Sequence, residues 1–520
     1  MDGPTDAERE RSGSGGDGTG LDRRRFLGVT AAAGVWTAGT ALTGCDTASG
    51  GDPDAPADPS EASRPGDSGW RIRSKGPPEA VLGYTDKVSV LPGEDFGLYV
   101  STTAPEFRVS AYRMGWYRGA QARLVWRSDR VAGHVQREPE PAPRTRTVRA
   151  GWKRTVLIHT DGWPEGAYLL RLDASSGHQR YVPLIVRSAT ARGRTLLIHA
   201  PATWQAYNLW GGHSLYEGDD GSYGTRSLAV SFARPYDSDG AEKFLVYERA
   251  VVVLAERLGI PLAYTTGVDI HRDPAVLRGA VSAVVLGHDE YWTPRQRQSM
   301  TRARDAGTNL AFLGANTCFR RIRLEDGDRT VVCYKTDYRH DPLYPRHGAL
   351  VTTDFRQAPD PDPESSLTGV LYEGYPVNAP YVVRNAGHWL FAGTGVKRGD
   401  SFAHLVGVEY DRVTPGSLPD APIEIIAHSP LVCNGRRSHS DSAYYTVPSG
   451  AGVFASGTMR WVEGLMAGTG ENGRNHGMDA RTGAFVTRAT ENLLRAFAEG
   501  PAAKTRPAPR DNVREVYGST

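Results

Sequence analysis

The chain has 520 residues, of which 39% are hydrophobic, and a formal net charge of +2. At roughly 150 residues per domain, this length predicts two or three domains with sizeable cores. The near-neutral charge gives no electrostatic reason to expect nucleic acid as a partner, so we expect none.

The N-terminal segment is predicted to be a targeting signal. Arg23 and Arg24 open a twin-arginine motif of the R-R-x-F-L kind, and an apolar stretch follows that is too short to span a bilayer comfortably. The stretch ends in L-T-G-C at Cys45, which resembles a bacterial lipobox. An ordinary signal peptide with a chance cysteine is the alternative. The order of these features favours a twin-arginine lipoprotein signal over residues 1–44. We therefore expect export and a lipid anchor on the extracytoplasmic face of the cell membrane.

Two segments of different composition follow the signal. Residues 45–68 are rich in Asp, Pro, Ser and Gly, which predicts a flexible tether. Residues 69–190 contain short alternating segments between turn signals, such as 107–113. This pattern predicts an antiparallel, immunoglobulin-like β-sandwich.

The pattern changes after Arg194, where predicted strands alternate with predicted helices. Strands are predicted at 195–199, 283–286 and 310–313, and helices at 242–258 and 294–306. Such alternation predicts a parallel sheet covered by helices on both faces. The last residues, 500–520, are predicted to be a loose tail.

The cysteines do not suggest a zinc site, because no C-x-x-C spacing is present. Cys318 and Cys333 flank a hairpin pattern with its turn at Asp326-Gly327. In an oxidising compartment these two are predicted to form a disulfide, which leaves Cys433 free.

Polar side chains follow two of the predicted strands. His288 and Glu290 come directly after the strand that ends at Gly287, and Asn316 follows the strand that ends at residue 313. Loops at the carboxyl ends of strands bind ligands in open α/β sheets. Glu290 is therefore a candidate metal ligand, general base or substrate anchor, and the alternative is a carboxylate that favours the start of helix 294–306.

The roles of the two neighbouring candidates also have alternatives. His288 lies two residues before Glu290 and is predicted either to orient it or to be a capping or core histidine. Asn316 is predicted either to bind a ligand or to hold a turn. Tyr207, Tyr216 and Tyr236 lie on loops after the first strand; a phenol usually packs with a wet tip, but it is also a hard oxygen ligand suited to ferric iron.

Four motifs together resemble the C-terminal domain of the large (beta) subunit of N,N-dimethylformamidase. They are Y-N-x-W-G-G-x-S-L-Y at 207–216, R-P-Y at 234–236, G-H-x-E-Y-W at 287–292 and G-x-N at 314–316. The resemblance covers roughly residues 195–465, and the β-rich segment before it is similar to the sandwich that precedes this domain in the family. We therefore expect residues 194–499 to form an α/β domain of the class I glutamine-amidotransferase-like, flavodoxin-like kind.

The resemblance implies hydrolysis of a small amide at one ferric ion that is held by two tyrosines and one glutamate. It implies that Glu290 is the carboxylate ligand and that Tyr207 is one of the tyrosines. Tyr216, Tyr236 and Tyr247 compete for the second position, for which we take Tyr236.

The resemblance also implies that His288 and Asn316 are polar groups beside the iron, so Glu290, His288 and Asn316 are the catalytic candidates. The expected function is an exported, metal-dependent hydrolase of an amide or related C–N bond in a small molecule; a homo-oligomer is compatible with this expectation. The alternative is a non-catalytic cell-envelope protein that binds a saccharide or other small ligand against aromatic residues. These are Trp204, Trp210, Tyr216 and Trp292.

Overall fold

The computed structural model describes residues 61–469 and 476–518. The predicted signal, with Arg23, Arg24 and Cys45, lies outside the described residues. Among the residues that are described, no helix has both the length and the apolar character needed to cross a membrane.

The first part of the chain forms two sheets. The strands are β1 (Val81–Thr85), β2 (Ser89–Val90), β3 (Asp95–Thr102), β4 (Glu106–Met114), β5 (Ala122–Arg127), β6 (Val131–Ala132), β7 (Val156–His159), β8 (Gly166–Ala174) and β9 (Gln179–Val186). One sheet has the order β1-β3-β7, and the other has the order β2-β9-β8-β4-β5 with β6 paired to β4. Inward-facing residues of both sheets, such as Leu98 and Leu170, share one buried core.

The described residues before position 69 are folded. Glu61 is buried, and its carboxylate accepts hydrogen bonds from Tyr117 Oη at 2.8 Å and from Arg123 Nε at 2.7 Å. Residues 61–68, which were predicted to belong to the tether, are therefore part of the folded structure.

The second part of the chain contains both strands and helices. Its strands are β10 (Thr195–His199), β11 (Ala229–Ser231), β12 (Leu262–Thr266), β13 (Ser282–Val285), β14 (Tyr291–Trp292), β15 (Asn309–Phe312), β16 (Arg320–Arg321), β17 (Arg323–Glu325), β18 (Thr330–Val332), β19 (Thr353–Asp354), β20 (Leu371–Val382), β21 (Ser401–Arg412), β22 (Ile423–Cys433), β23 (Arg436–Thr446) and β24 (Gly452–Ala455). Its helices are α1 (Pro201–Ala206), α2 (Glu242–Tyr247), α3 (Arg249–Leu258), α4 (Gly267–Arg272), α5 (Pro294–Asp305), α6 (Ser365–Thr368), α7 (Trp461–Gly464), α8 (Ala480–Ala498) and α9 (Val513–Tyr517).

A seven-stranded sheet with the order β12-β10-β13-β15-β24-β23-β22 is the centre of this part. The pairs from β12 to β24 are parallel, whereas β24-β23 and β23-β22 are antiparallel. Helices α3 and α8 pack on one face through residues such as Val251 and Leu493. Helices α4 and α5 pack on the other face through Ile270 and Met300.

The prediction of a flavodoxin-like, class I glutamine-amidotransferase-like domain is wrong. The central sheet is mixed, and three smaller sheets accompany it: β11-β18-β17, β14-β16-β19 and β20-β21. The alternation of strands and helices from 195 to 313 is real, but it does not continue over the rest of residues 194–499. After β15 the chain forms mainly antiparallel strands, which include the long strands β20 to β23.

The helix predicted over 242–258 is interrupted at Glu248, which has φ −132° and ψ −40°. Its carboxylate lies 2.6 Å from His199 Nδ1 and accepts hydrogen bonds from Trp204 Nε1 at 2.8 Å and Ala200 N at 3.2 Å. The break brings the Tyr247 backbone against Gly287, where a Cβ atom would lie 2.2 Å from the Tyr247 carbonyl oxygen. Only glycine permits this close approach.

The start of α5 confirms the predicted helix boundary. Thr293 is the N-cap, its hydroxyl accepts a hydrogen bond from Gln296 N, and Pro294 occupies the first helical position. Helix α5 fixes the end of the loop that carries His288 and Glu290.

The predicted disulfide is not formed. Cys318 and Cys333 are free, buried thiols. Cys318 packs with Phe312 on one face of the central sheet, whereas Cys333 packs with Val230 in a separate cluster. The hairpin of β17 and β18 lies between them as predicted, but the two side chains point into different cores.

The C-terminal segment is packed rather than loose up to residue 518. The Asn512 side chain exchanges two hydrogen bonds with the Ile425 backbone, at 2.8 and 3.0 Å. Val513 of α9 is buried. This segment extends the cover of the edge strand β22.

Candidate functional site

The candidate site lies beyond the carboxyl ends of two adjacent strands of the central sheet. Strands β10 and β13 are parallel, with Leu197 opposite Val284, so the loops that follow them meet at one edge. Tyr207 ends α1 after β10, and Tyr216 lies further along the same loop. Glu290 lies in the loop after β13.

The side-chain oxygens of three residues converge in this partly buried place. Tyr207 Oη donates to Glu290 Oε2 at 2.6 Å, and Tyr216 Oη lies 2.8 and 2.7 Å from the two Glu290 oxygens. The two phenol oxygens are 2.9 Å apart. Burial, and after it the Glu290 carboxylate, raises the pKa of each tyrosine well above its ordinary value. Both phenols are therefore protonated donors to Glu290 at neutral pH.

The loop that carries Glu290 is held by Thr203 of α1. Thr203 Oγ1 accepts a hydrogen bond from Glu290 N at 3.1 Å and donates to Asp289 Oδ1 at 3.0 Å. Burial raises the pKa of Asp289 to about 7. These contacts give the Glu290 backbone a fixed position before any ligand binds.

Basic side chains lie beside the oxygens of Tyr207, Tyr216 and Glu290. Arg320 Nε lies 3.2 Å from Glu290 Oε1, and Arg320 also forms an ion pair with Asp354. The Lys335 ammonium lies 3.2 Å from the centroid of the Tyr216 ring. Burial opposes ionisation of Glu290, but the hydrogen bond from His288 and the Arg320 charge lower its pKa. Glu290 is therefore an anion held by cations.

His288 contacts Tyr207 and a second carboxylate, that of Glu409. Its Nε2 lies 3.1 Å from Tyr207 Oη, and its Nδ1 lies 3.3 Å from the Ala315 carbonyl and 3.8 Å from Glu409 Oε2. A carbonyl only accepts, so Nδ1 is the donor and Nε2 faces the site. Burial disfavours the imidazolium, yet Glu409 and Glu290 raise the pKa of His288.

Asn316 sits on the opposite side of His288. Its Nδ2 donates to Glu409 Oε2 at 2.9 Å, and its backbone N donates to Asp411 Oδ1 at 2.8 Å. Asn316 has a left-handed backbone, with φ 58°. Its buried Oδ1 has no hydrogen-bond partner among the described residues, and the same is true of Tyr291 Oη. Buried polar atoms of this kind are typical of a place where a ligand or water binds.

The structure brings together most of the predicted site residues but not Tyr236. The Tyr236 ring packs against Trp204 at 6.3 Å between centroids and lines a small cavity with Lys243 and Phe244. The Tyr247 ring lies 5.8 Å from that of His288. Tyr216 is therefore the second tyrosine beside Glu290.

Three charged members of the site were missed from the sequence. They are Arg320, Lys335 and Glu409. Glu409 and Asp411 occupy alternate buried positions in β21, and two acidic residues of this spacing in an otherwise apolar strand are a usable signal. The positions of Arg320 and Lys335 depend on the small sheets and have no local signature.

The oxygen ligands suit a hard metal ion. No group of three His, Cys, Asp or Glu side chains within the described residues is arranged to hold a metal, so the candidate site depends on its two phenols and one carboxylate. Such donors favour a hard, trivalent ion such as ferric iron over zinc. The convergence of Tyr207, Tyr216 and Glu290 fits this group.

The aromatic residues expected to line a crevice are mostly core residues. Trp204 and Trp292 are buried, and Trp204 donates to Glu248. Trp210 packs edge-on against Trp152, with 5.7 Å between ring centroids. Tyr216 alone among the four contacts Glu290.

Comparisons with known proteins give one match over most of the chain. The sequence model of a family described as N,N-dimethylformamidase beta subunit-like, C-terminal, matches residues 108–476. This range starts in β4, well before the motif at 207, and covers more than half of the chain. No curated protein matches the chain.

A solved structure is similar over part of the chain. It is a crystal structure of a cycloisomaltooligosaccharide glucanotransferase from Paenibacillus sp., complexed with cycloisomaltoheptaose. The identity is 8% and the TM-score is 0.15, over 46% of this chain and 28% of that chain. A likeness this low carries no argument about function.

Proposed function

Because the chain belongs to the N,N-dimethylformamidase beta subunit-like family, we propose that it is a metal-dependent hydrolase of an amide or a related C–N bond in a small molecule. The observation that carries this proposal is the convergence of Tyr207, Tyr216 and Glu290. Their oxygens lie 2.6 to 2.9 Å from one another in a partly buried place. Titratable groups with strongly shifted pKa values that gather at the end of a sheet are typical of functional sites.

Tyr207, Tyr216 and Glu290 would hold a ferric ion through phenolate and carboxylate oxygens. When bound, such an ion polarises an amide carbonyl and lowers the pKa of a water molecule to near neutrality. Arg320 keeps Glu290 ionised and aimed at the same point, and Thr203 fixes the Glu290 backbone.

His288 is the group that moves protons. Its Nδ1 donates to the Ala315 carbonyl, so in the neutral imidazole Nε2 carries the lone pair that accepts a proton from a water molecule that attacks the carbonyl carbon. Glu409 stabilises the imidazolium that results, at 3.8 Å from Nδ1. The same Nε2 then returns the proton to the nitrogen that leaves, which lets the C–N bond break.

Asn316 and Glu409 position the substrate and His288. The Asn316 amide is fixed by its bond to Glu409, which directs its buried Oδ1 away from the carboxylate. This oxygen is an acceptor for an N–H group of a substrate amide. Glu290, His288 and Asn316 are buried, and Tyr207 and Tyr216 are partly buried, so the site suits a small amide rather than a large one.

The test is the metal content of the protein, purified without chelators, together with its visible spectrum and its release of amine from small amides. We expect near-stoichiometric iron and a tyrosinate-to-iron absorption band in the wild type. Tyr207→Phe, Tyr216→Phe and Glu290→Gln are expected to lose both. Tyr236→Phe is the matched control and is expected to keep both, because Tyr236 packs on Trp204 instead.

The outcomes separate the candidate functions. A wild type that binds no metal, even after reconstitution, would reject the hydrolase in favour of a binding protein that takes a saccharide or other small ligand. Loss of iron in Tyr236→Phe, with iron kept in Tyr216→Phe, would mean that the second tyrosine ligand is the one first predicted from the sequence.

We also propose that the protein is exported by the twin-arginine route and anchored by lipid at Cys45. The order of twin arginines, apolar stretch and L-T-G-C supports this location.

A further inference from the structure

Lys335 is a buried lysine of unusual setting. Its relative exposure is 0%, although lysine is almost never fully buried without a specific reason. Its backbone has φ 53°, the left-handed region that non-glycine residues rarely adopt. Lys335 therefore has two separate costs in free energy, one from the burial of its ammonium and one from its left-handed backbone.

The Lys335 ammonium lies on the Tyr216 ring. Its Nζ is 3.2 Å from the ring centroid, compared with 5.7 Å for Tyr223 and 5.9 Å for Tyr291. A cation over an aromatic face is attracted by the ring quadrupole, and the attraction is strongest when both groups are dry. The Tyr216 hydroxyl, at the other end of the same ring, contacts Glu290.

The segment that carries Lys335 is held in place by its neighbours. The hydroxyl of Thr336 lies 3.2 Å from Tyr223 Oη, and Asp337 forms an ion pair with the buried Arg226. Arg226 in turn lies on the Tyr223 ring, 3.7 Å from its centroid. These contacts fix the backbone next to Lys335 and so the direction from which its ammonium reaches Tyr216.

We infer that Lys335 is a positioning residue of the proposed metal site: its ammonium, seated on the face of the Tyr216 ring, holds that ring against Glu290. The inference rests on the proposed function. Arg320 contacts the Glu290 carboxylate and is shared with Asp354. Lys335 lies on the aromatic face of Tyr216 instead, so it acts on the orientation of the ring.

The first test uses the metal-free protein. The chain has only seven lysines, so protein labelled with ¹³C at the lysine Cε gives a small set of NMR signals, which lysine-to-arginine variants assign. The ring current of Tyr216 is expected to shift the Lys335 signal upfield of the others. Tyr216→Leu should abolish the shift, and Tyr223→Leu is the matched control that should keep most of it. A Lys335 signal among those of exposed lysines would overturn the inference.

The second test is a titration of the metal-free protein with ferric iron, followed by the tyrosinate-to-iron band. Lys335→Met keeps the length and removes the charge; it is expected to weaken iron binding by about tenfold or more and to move the band to longer wavelength. Lys335→Arg should bind within a few-fold of the wild type. Lys153→Met, at an exposed position, is the control and is expected to leave both the affinity and the band unchanged.

The outcomes distinguish the inference from the proposed function. Iron bound equally well by wild type and Lys335→Met, with the same band, overturns the inference and leaves the hydrolase intact. A wild type that binds no iron overturns both. Thermal melting is measured in parallel to establish that Lys335→Met is folded. If it does not fold, Lys335→Gln replaces it in the same titration.

Discussion

At the scale of single residues, the proposed function assigns metal binding and proton transfer to different side chains. The oxygens of Tyr207, Tyr216 and Glu290 form one group, and the imidazole of His288 touches it only through Tyr207 Oη at 3.1 Å and Glu290 Oε2 at 3.6 Å. Loss of the imidazole should therefore affect catalysis without removing the ligands.

His288→Gln tests this separation. The amide can still meet Tyr207, but it cannot accept a proton from water, so we expect the turnover number to fall by roughly 10²- to 10⁴-fold. Iron content should stay within about twofold of the wild type, because the oxygen ligands remain. Turnover and iron are measured on the same preparation. Wild-type turnover in His288→Gln would show that another group transfers the proton.

A second titratable residue links this region to stability. Burial raises the pKa of Asp411 from an ordinary 3.8 to about 8, with its Oδ1 accepting from Asn316 N. In the folded protein the carboxyl keeps its proton up to this pH, while in the unfolded chain it ionises near pH 4. The stabilisation is therefore complete below about pH 4 and is lost as the pH rises through 8.

Asp411→Asn should remove this dependence. The amide oxygen still accepts from Asn316, and no ionisation is possible. We expect wild type and variant to have similar free energies of unfolding near pH 4, and the variant to be more stable by a few kcal/mol at pH 8. Urea unfolding across this range measures the difference. Asp420→Asn at an exposed position is the control, and a wild-type-to-variant difference that stays constant with pH would reject the argument.

At the scale of elements, the site depends on the break between α2 and α3. Glu248 interrupts the helix because three donors, from His199, Ala200 and Trp204, converge on its carboxylate. The break places the Tyr247 backbone on Gly287, directly before His288. The helical spacing of apolar residues from 242 to 258 does not predict this break, because the hydrogen-bond donors that cause it lie on a different strand and helix.

Gly287→Ala tests the close approach of the Tyr247 backbone to Gly287. The new Cβ would lie 2.2 Å from the Tyr247 carbonyl oxygen, which belongs to backbone and cannot rotate away. We expect a loss of roughly 1–3 kcal/mol in the free energy of unfolding, together with weaker iron binding as the His288 loop shifts. Gly224→Ala is the control, because its Cβ would meet only Ser222 Oγ at 3.9 Å. Equal stability of both variants would contradict the close approach.

At the scale of the whole molecule, the sequence predicted the local features better than the architecture. The parallel strands β10, β13 and β15, the N-cap at Thr293 and the meeting of Tyr207 with Glu290 follow from short patterns. The antiparallel edge of the central sheet does not, because the pairing of β22 with β23 and of β23 with β24 is decided by packing far from the motifs.

The same limit explains the errors at the site. Tyr216 and Tyr236 lie on comparable loops after the first strand, and only the course of the chain through the small sheets decides which of them reaches Glu290. Cys318 and Cys333 flank a genuine hairpin, yet the strands that lead into it turn their side chains into different clusters.

The placement of the whole molecule in the cell is the last prediction. If the L-T-G-C motif is a lipobox, acylation of Cys45 anchors the folded domains to the membrane. Cys45→Ser should then move the protein from the membrane fraction to the soluble fraction of the cell envelope, whereas Cys433→Ser, at a buried cysteine, should not. Replacement of Arg23 and Arg24 by Lys should leave unprocessed precursor in the cytoplasm, because the twin-arginine route reads both residues. Fractionation with an antibody against the folded domain follows each variant. A Cys45→Ser protein that stays with the membrane would require a different anchor, and normal export of the lysine variant would require a different route.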